Sequence, residues 1–189
     1  GRIERDTGWA LDGITTTEIN NYSAELYENC FLGSYGVKVG KWYDGKDDFT
    51  IYIPKTDGSF HFTGYNSEGD IVVDKDGGFS ETLLDRDILN DVEYNNKYNA
   101  FFNIGYGGVE YHITNYNPPN QLKCLFISHS YGRPIAMYLS QNFSELINID
   151  PQKGGYEGNY QNLIDEYEPD IVLFLVEFEG EILGEYRME

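Results

Sequence analysis

The chain has 189 residues and a formal net charge of −19, from 32 Asp and Glu residues against 13 Lys and Arg residues. This length predicts one domain with its own hydrophobic core, and the acidic balance argues against nucleic acids and anionic membranes as partners. Two cysteines, Cys30 and Cys124, are too few for a disulfide framework. No apolar run reaches the roughly 18 residues of a membrane-spanning helix, so the chain as given is predicted not to be transmembrane.

Residues 1–30 are predicted to be an N-terminal helical segment. Apolar residues recur among polar ones from Asp6 to Tyr27, which indicates one amphipathic helix or a broken pair of helices. Asp6 or Thr7 is positioned to cap the start of this helix, and Gly13 is positioned to interrupt it.

Residues 31–112 differ in texture and predict a β-rich insertion. Short alternating or aromatic runs are separated there by turn signals such as Asp44-Gly45 and Asp76-Gly77-Gly78. We expect antiparallel hairpins that elaborate the main sheet without belonging to its alternating pattern. The expected strands are Gly40–Tyr43, Phe49–Ile53, Ser59–Thr63 and Ile71–Val73.

Residues 113–189 predict the core of a single domain that spans residues 1–189. Strands and helices alternate regularly after residue 121, and such a βαβαβ series predicts a parallel sheet with right-handed crossovers. The expected fold class is therefore α/β. The expected elements are a strand at 122–128, a helix at 134–142, a strand at 146–149, a helix at 159–167 and a strand at 171–178.

Ser130 occupies the turn between the first of these strands and its helix, and Pro134 suits the first turn of that helix. In open α/β sheets, ligands collect at the carboxyl ends of the strands, and the N–H groups at a helix start favour a developing oxyanion. Ser130 is therefore a candidate nucleophile. The alternative interpretation is a serine that only caps an ordinary helix.

Several tracts of this chain form a recognisable pattern through their order and spacing. They are 29–36 (NCFLGSYG), 40–49 (GKWYDGKDDF), 126–139 (FISHSYGRPIAMYL), Ile149-Asp150 and 168–173 (EPDIVL). In this order they resemble the DHHW-motif proteins, which are bacterial cell-surface members of the SGNH-hydrolase-like superfamily and similar to the alginate O-acetylation enzymes. The resemblance covers most of the chain.

The resemblance implies a flavodoxin-like, SGNH-type parallel sheet flanked by helices, with a serine nucleophile, an Asp-x-His pair and oxyanion donors from Gly and Asn. It implies acetyl transfer to, or removal from, sugar hydroxyls, without a cofactor. The partner is then a polysaccharide or other glycan, with envelope proteins as further partners. The implied location is extracellular or on the bacterial cell surface, with a signal or anchor upstream of the chain.

The nucleophile segment of the family matches Ser130 followed by Tyr131-Gly132, while His129 stands where the family carries Asp. Tyr131 and Arg133 are candidate substrate contacts beside this serine. Arg133 is expected to hold the carboxylate of an acidic sugar or to pair with a surface acid. Asp150, at a predicted strand end, is expected to be a helix cap or a site residue.

The oxyanion segment of the family falls near Asn103 to Gly108. Gly105 is retained there, and the usual Asn position holds Tyr106 or is displaced, which leaves Asn103 as a candidate donor. Tyr106 is also a candidate substrate contact. The glycines of this segment allow the backbone to approach a ligand or another strand closely.

The Asp-x-His pair has two alignments. In one, Asp6-Thr7-Gly8-Trp9 is the eroded motif, with Asp6 kept and Gly8 in place of the histidine. In the other, Thr7-Gly8-Trp9-Ala10 matches the helix that follows the motif, and the motif itself lies before Gly1. In both alignments the chain as given lacks the expected general base.

Three histidines remain as substitutes for that base. His129 adjoins Ser130, but neighbouring side chains on an extended backbone point to opposite faces, so only a turn would bring it round. His112 is expected to be a packed or hydrogen-bonded strand residue, and His61 a structural or exposed one. Their dispersal, without clustered thiols, argues against a metal site.

The sequence therefore favours an SGNH-like acetyl-ester hydrolase or O-acetyltransferase domain that uses Ser130 and is weak or inactive as given, because a serine without its base loses several orders of magnitude in rate. Two rivals remain. One is a pseudoenzyme that binds a glycan without catalysis, and the other is an adaptor domain in an envelope assembly.

Overall fold

A computed structural model of the chain describes residues 21–32, 45–91, 93, 96–102, 107–151, 153 and 160–175. None of the helices in these ranges is long and apolar enough to cross a membrane. The strands are β1 (Tyr22–Phe31), β2 (Asp47–Pro54), β3 (Phe60–Tyr65), β4 (Ile71–Gly77), β5 (Glu110–Asn115), β6 (Lys123–Ser128), β7 (Glu145–Ile149) and β8 (Ile171–Leu175). The α-helices are α1 (Phe79–Leu83), α2 (Arg86–Asn90), α3 (Gly132–Leu139) and α4 (Tyr160–Tyr167), and 3₁₀ turns cover Lys97–Ala100 and Ser140–Asn142.

Six strands form one mixed sheet in the order β4-β3-β5-β7-β6-β8. Strand β6 lies at the centre of a parallel half, because it pairs in parallel with both β7 and β8. The other half is antiparallel, since β5 runs against β7, β3 against β5 and β4 against β3. The predicted α/β class is therefore correct in its coarse form, as a mixed sheet flanked by helices.

The predicted alternation after residue 121 is confirmed. Strand, helix, strand, helix and strand follow one another as β6, α3, β7, α4 and β8, within about three residues of the expected bounds where the structure describes them. The cause is that β6 is buried on both faces. Leu125 and Ile127 pack with α4 on one side, while Cys124 and Phe126 pack with α3 on the other, so the strand reads as a continuous apolar run.

The expected elaboration of the main sheet by hairpins of 31–112 is found for β3 and β4, which extend the sheet antiparallel and outside its βαβ series. Strand β3 pairs with β5 along its whole length and extends the sheet by a hairpin. Its apolar residues Phe60 and Phe62 are buried in the same core as Phe126. The turn signals predicted the hairpin correctly, but they carry no information about its long-range partner β5.

The predicted N-terminal helix is wrong over residues 22–27, which belong to strand β1. This strand pairs antiparallel with β2 in the separate two-stranded sheet, from Tyr22 opposite Pro54 to Tyr27 opposite Phe49. Tertiary pairing has overridden the weak helical spacing here. The remainder of that helix and the expected strand Gly40–Tyr43 lie outside the described residues.

The two-stranded sheet covers the α3 side of the main sheet. The backbone N–H of Tyr52 donates to the Tyr138 hydroxyl of α3 at 3.1 Å. Tyr22 lies edge-on to the same ring at 6.0 Å, and Phe49 packs against Phe101 at 6.2 Å. These contacts place β1 and β2 beside the helix that follows the candidate serine.

The aromatic layer under this sheet should dominate stability. Phe62 is 0% exposed and packs against Phe102 and Tyr111, with ring centroids at 5.5 and 6.0 Å. Phe62→Ala should lower the free energy of unfolding by about 3–5 kcal/mol, because the hydrophobic transfer free energy of the ring is lost and a cavity is left behind. Ile71→Ala, at a side chain that is 57% exposed on the neighbouring strand, should cost only about 0.5 kcal/mol. Denaturant titration of both variants measures this, and equal losses would contradict the assigned core.

Candidate functional site

The carboxyl ends of β6, β7 and β8 meet at one edge of the sheet. Their registers pair Ile127 with Ile149 and Ser128 with Leu175. Ser130 follows β6 at this edge, and Asp150 follows β7. Parallel strands thus bring two polar residues that are 20 positions apart in sequence to adjacent strand ends.

Ser130 lies in a tight turn that leads directly into α3. The N–H of Gly132 donates to the carbonyl of His129 at 2.8 Å, and the N–H of Arg133 donates to the carbonyl of Ser130 at 3.4 Å. Tyr131 holds the N-cap position with helical dihedrals and caps the helix with no side-chain bond. Ser130 is therefore not the helix cap, and its half-buried hydroxyl has no hydrogen-bond partner in the described part of the chain.

The start of α3 offers fewer oxyanion donors than the sequence suggested. The first two helical amides, from Gly132 and Arg133, already donate to carbonyls of the turn. The third helical residue is Pro134, which has no N–H. Stabilisation of an oxyanion at Ser130 therefore needs donors from other segments.

Gly132 sets the distance between α3 and β6. A Cβ atom at this position would lie 2.1 Å from Ser128 Oγ and 2.3 Å from Ser128 Cβ. The serine is held in turn by Asn148, whose Nδ2 donates to Ser128 Oγ at 2.8 Å and to the carbonyl of Phe126 at 2.9 Å. The helix therefore begins in direct contact with a buried, hydrogen-bonded strand end.

A buried ion pair ties the same helix start to β7. Arg133 Nη2 lies 3.4 Å from Asp150 Oδ2, and the two side chains are only 3% and 5% exposed. The predicted pairing of Arg133 with a surface acid is wrong, because the end of β7 comes within reach only through the parallel pairing of β6 and β7. Binding a substrate would need an exposed guanidinium, and the structure does not present one. Asp150 pairs with Arg133, while its own backbone carbonyl accepts from Lys153 at 3.2 Å.

Tyr111 completes the polar cluster under the turn. Its ring centroid is 6.0 Å from Arg133 Cζ, and its hydroxyl donates to the carbonyl of Gly108 at 2.5 Å. Burial raises the pKa of Tyr111 to about 12, with smaller opposing influences from Arg133, which lowers it, and Asp150, which raises it. The phenol therefore stays protonated at neutral pH and can keep donating.

Two of the three histidines, His61 and His112, contact carboxylates away from Ser130. His112 and Glu110 are joined at 2.5 Å, and the Tyr167 hydroxyl donates to the same carboxylate at 2.6 Å, so His112 is a hydrogen-bonded strand residue as expected. His61 lies between Asp74 and Asp76 on the β3–β4 hairpin, at 3.5 and 3.1 Å.

His129 is buried next to Ser130, one residue after the end of β6. If the alternation of the strand continued here, the side chains of His129 and Ser130 would point to opposite faces of the sheet. Four other candidates, Asp6, Asn103, Gly105 and Tyr106, lie outside the described residues, so their roles remain predictions. Tyr131 is 39% exposed beside the serine, as a substrate contact needs to be.

Sequence reasoning missed the support of the turn. Ser128 and Asn148 are buried polar residues near the ends of apolar strands, where a polar residue needs a partner, and this was a usable signal. Asp150, just after β7, was a candidate, but its pairing with Arg133 was not predicted.

The glycine contact yields a double-mutant test. Gly132→Ala should destabilise the protein by about 1–3 kcal/mol, because the new methyl group overlaps Ser128. Ser128→Gly removes that obstacle and leaves Phe126 Cε1 as the nearest atom at 3.3 Å. The combined variant should be more stable than the sum of the two single losses predicts, by about 0.5–3 kcal/mol, in denaturant titrations. Strict additivity would show that the helix does not begin against the strand.

The ion pair yields a second test. Arg133→Met should cost about 3–5 kcal/mol, because it leaves the Asp150 carboxylate buried without its cation. Adding Asp150→Leu should recover most of that loss, since two apolar side chains replace two desolvated charges. Arg86→Met, at a half-exposed pair with Glu25, is the matched control and should cost about 1 kcal/mol or less. A mild effect of Arg133→Met alone would contradict a buried pair.

The comparisons with known proteins identify a fold. No protein-family model matches the chain, and no curated protein matches it in sequence. A DHHW family protein from Eubacterium siraeum superposes with a TM-score of 0.63 at 19% identity, over 87% of this chain and 50% of the other. PatB1 of Bacillus cereus with a sulfonyl adduct superposes with a TM-score of 0.60 at 19% identity, over 84% of this chain and 47% of that chain. A second PatB1 structure gives a TM-score of 0.60 at 20% identity over 84% and 49% of the two chains. The chain thus spans about half the length of these proteins, and over that span it has a DHHW-type fold.

Proposed function

We propose that this chain is part of an SGNH-type carbohydrate O-acetyltransferase or acetylesterase domain with Ser130 as its nucleophile. One observation carries the proposal. The Ser130 hydroxyl is held at the carboxyl edge of a parallel sheet by a turn with two buried anchors, yet within the described residues it neither caps the helix nor makes a structural hydrogen bond. A positioned polar group without a structural role is typical of a reactive one.

The fold neighbours support the same assignment. Two of them are PatB1 structures, and one carries a sulfonyl adduct. Sulfonylating reagents modify nucleophilic hydroxyls, which is the chemistry proposed for Ser130 here. A flavodoxin-like SGNH topology, a glycan partner and a bacterial cell-surface location belong to this proposal through the DHHW resemblance.

The proposed reaction is acyl exchange at one hydroxyl. Ser130 Oγ attacks the acyl carbon of the donor ester, the ester C–O bond breaks, and the alcohol leaves with a proton. Water or a sugar hydroxyl then attacks the acyl-serine and restores the serine. The serine proton must pass to a base. Of the described histidines, His61 and His112 are committed to carboxylates elsewhere, which leaves His129, the neighbour of Ser130, as the candidate. We therefore expect slow turnover, unless His129 or a base outside the described residues takes the proton.

If no base takes the serine proton, the alternative function is favoured. A domain that keeps the turn but lacks a base beside it would bind a glycan, or hold an envelope assembly together, without catalysis. The contacts that hold the turn do not depend on turnover, so they fit this alternative equally well.

Hydrolysis of p-nitrophenyl acetate separates the two. Wild-type protein should release p-nitrophenol faster than Ser130→Ala by about tenfold or more, because only Ser130 forms the acyl intermediate. Ser80→Ala, at a half-buried serine in the first turn of α1, is the matched control and should leave the rate unchanged. Equal rates for wild type and Ser130→Ala would remove the enzyme and leave the binding or adaptor domain.

A further inference from the structure

A row of four aromatic rings begins one residue after Ser130 and ends in the two-stranded sheet. Tyr131 lies edge-on to Tyr98, with ring centroids 5.6 Å apart and planes at 83°. Tyr98 lies edge-on to Phe31 at 5.4 Å, and Phe31 packs against Phe49 at 5.1 Å. Segments far apart in sequence therefore build one continuous aromatic wall beside the candidate nucleophile.

The outer end of this wall is both exposed and polar. Tyr131 is 39% exposed, and Tyr98, Phe31 and Phe49 are half-buried. The two rings are in edge contact, and the pKa of Tyr98 is raised by burial and also by the neighbouring Tyr131. Two aromatic rings in contact, each with a phenol hydroxyl, can pack apolar surface and donate hydrogen bonds at the same place.

Tyr98 is fixed before any ligand arrives. The preceding residue, Lys97, is 0% exposed, and its Nζ donates to the carbonyls of Ile88 at 2.8 Å and Asp91 at 2.6 Å. Lys97 thereby closes the end of α2 and anchors the 3₁₀ turn that presents Tyr98. A ring held in this way loses little conformational entropy on binding.

We propose that Tyr131 and Tyr98 form a subsite for one uncharged sugar ring of the glycan that reaches Ser130. This proposal rests on the proposed function and specifies its substrate. A pyranose ring has an apolar C–H face that packs on an exposed aromatic side chain, and hydroxyl groups at its rim that match the two phenols. The geometry gives such a ring a place directly beside the reacting hydroxyl.

The charge distribution decides against an acidic sugar. The cations that adjoin the two tyrosines in the chain are committed, since Lys97 is buried against carbonyls and Arg133 is buried against Asp150. Among the described residues, Lys153 is exposed at this edge of the sheet and Lys46 lies near Lys97, but these charges do not offset a net charge of −19. A polyuronate would meet this field with an unpaired carboxylate on every ring, which costs affinity.

Calorimetric binding in a Ser130→Ala background tests the subsite without turnover. The probes are neutral tetrasaccharides of glucose, mannose and N-acetylglucosamine, and the acidic probe is tetragalacturonate. At least one neutral probe should bind, and Tyr131→Ala or Tyr98→Leu should weaken it by about tenfold. Tyr98→Phe keeps the ring packing and should weaken binding by about threefold or less. Tyr116→Ala, at an exposed tyrosine just past the end of β5, is the control and should change nothing.

Three results would overturn the subsite. They are tighter binding of tetragalacturonate than of any neutral probe, equal effects of Tyr131→Ala and Tyr116→Ala, and no neutral probe with a Kd below about 10 mM. The proposed function fails separately, through equal p-nitrophenyl acetate hydrolysis by wild type and Ser130→Ala. If the protein has Ser130-dependent esterase activity but Tyr131→Ala does not weaken glycan binding, only the subsite is refuted.

Discussion

The geometry of the candidate site depends on the close approach between helix α3 and strand β6. Gly132 stands where any side chain would collide with Ser128, so the helix axis begins almost against the sheet. The intervening turn has only three residues, His129, Ser130 and Tyr131, in which to reverse direction. A turn that short, with both ends pinned, leaves the serine little freedom. In the part of the chain that the structure describes, its hydroxyl is positioned by the backbone and not by a hydrogen bond of its own.

Buried polar contacts give this arrangement its rigidity at a cost in desolvation. Asn148 satisfies Ser128 on one side of the turn, and Asp150 satisfies Arg133 on the other. Such pairs add little net stability over apolar replacements, but breaking one partner is costly, so they favour one arrangement over its alternatives. The desolvation of polar groups at the strand ends thus lowers stability, and the aromatic core around Phe62 offsets that loss. That division is expected where a site must be held in one geometry.

The sequence was a good guide wherever burial imposed a local period. The apolar run of β6 and the alternation that follows it predicted the parallel half of the sheet, since each strand there is covered on both faces. Contacts between distant segments were beyond such reasoning. Strand β1 was predicted to be helical because its partner β2 is not visible from its own residues, and the pairing of β3 could not be predicted because its partner β5 comes much later in the chain. The partner of Arg133 was misjudged for the same reason: a charged side chain in an acidic chain suggests a surface pair until the topology brings Asp150 beneath it.

The central claim is that the hydroxyl at position 130 is the reactive group of this fold. Reaction of the intact protein with an aryl sulfonyl fluoride, followed by peptide mapping with tandem mass spectrometry, tests this most directly. The account predicts a sulfonyl ester on Ser130 Oγ, formed with loss of fluoride, and no comparable modification of Ser80 or Ser128. A Ser130 peptide that stays unmodified while other residues react would contradict it.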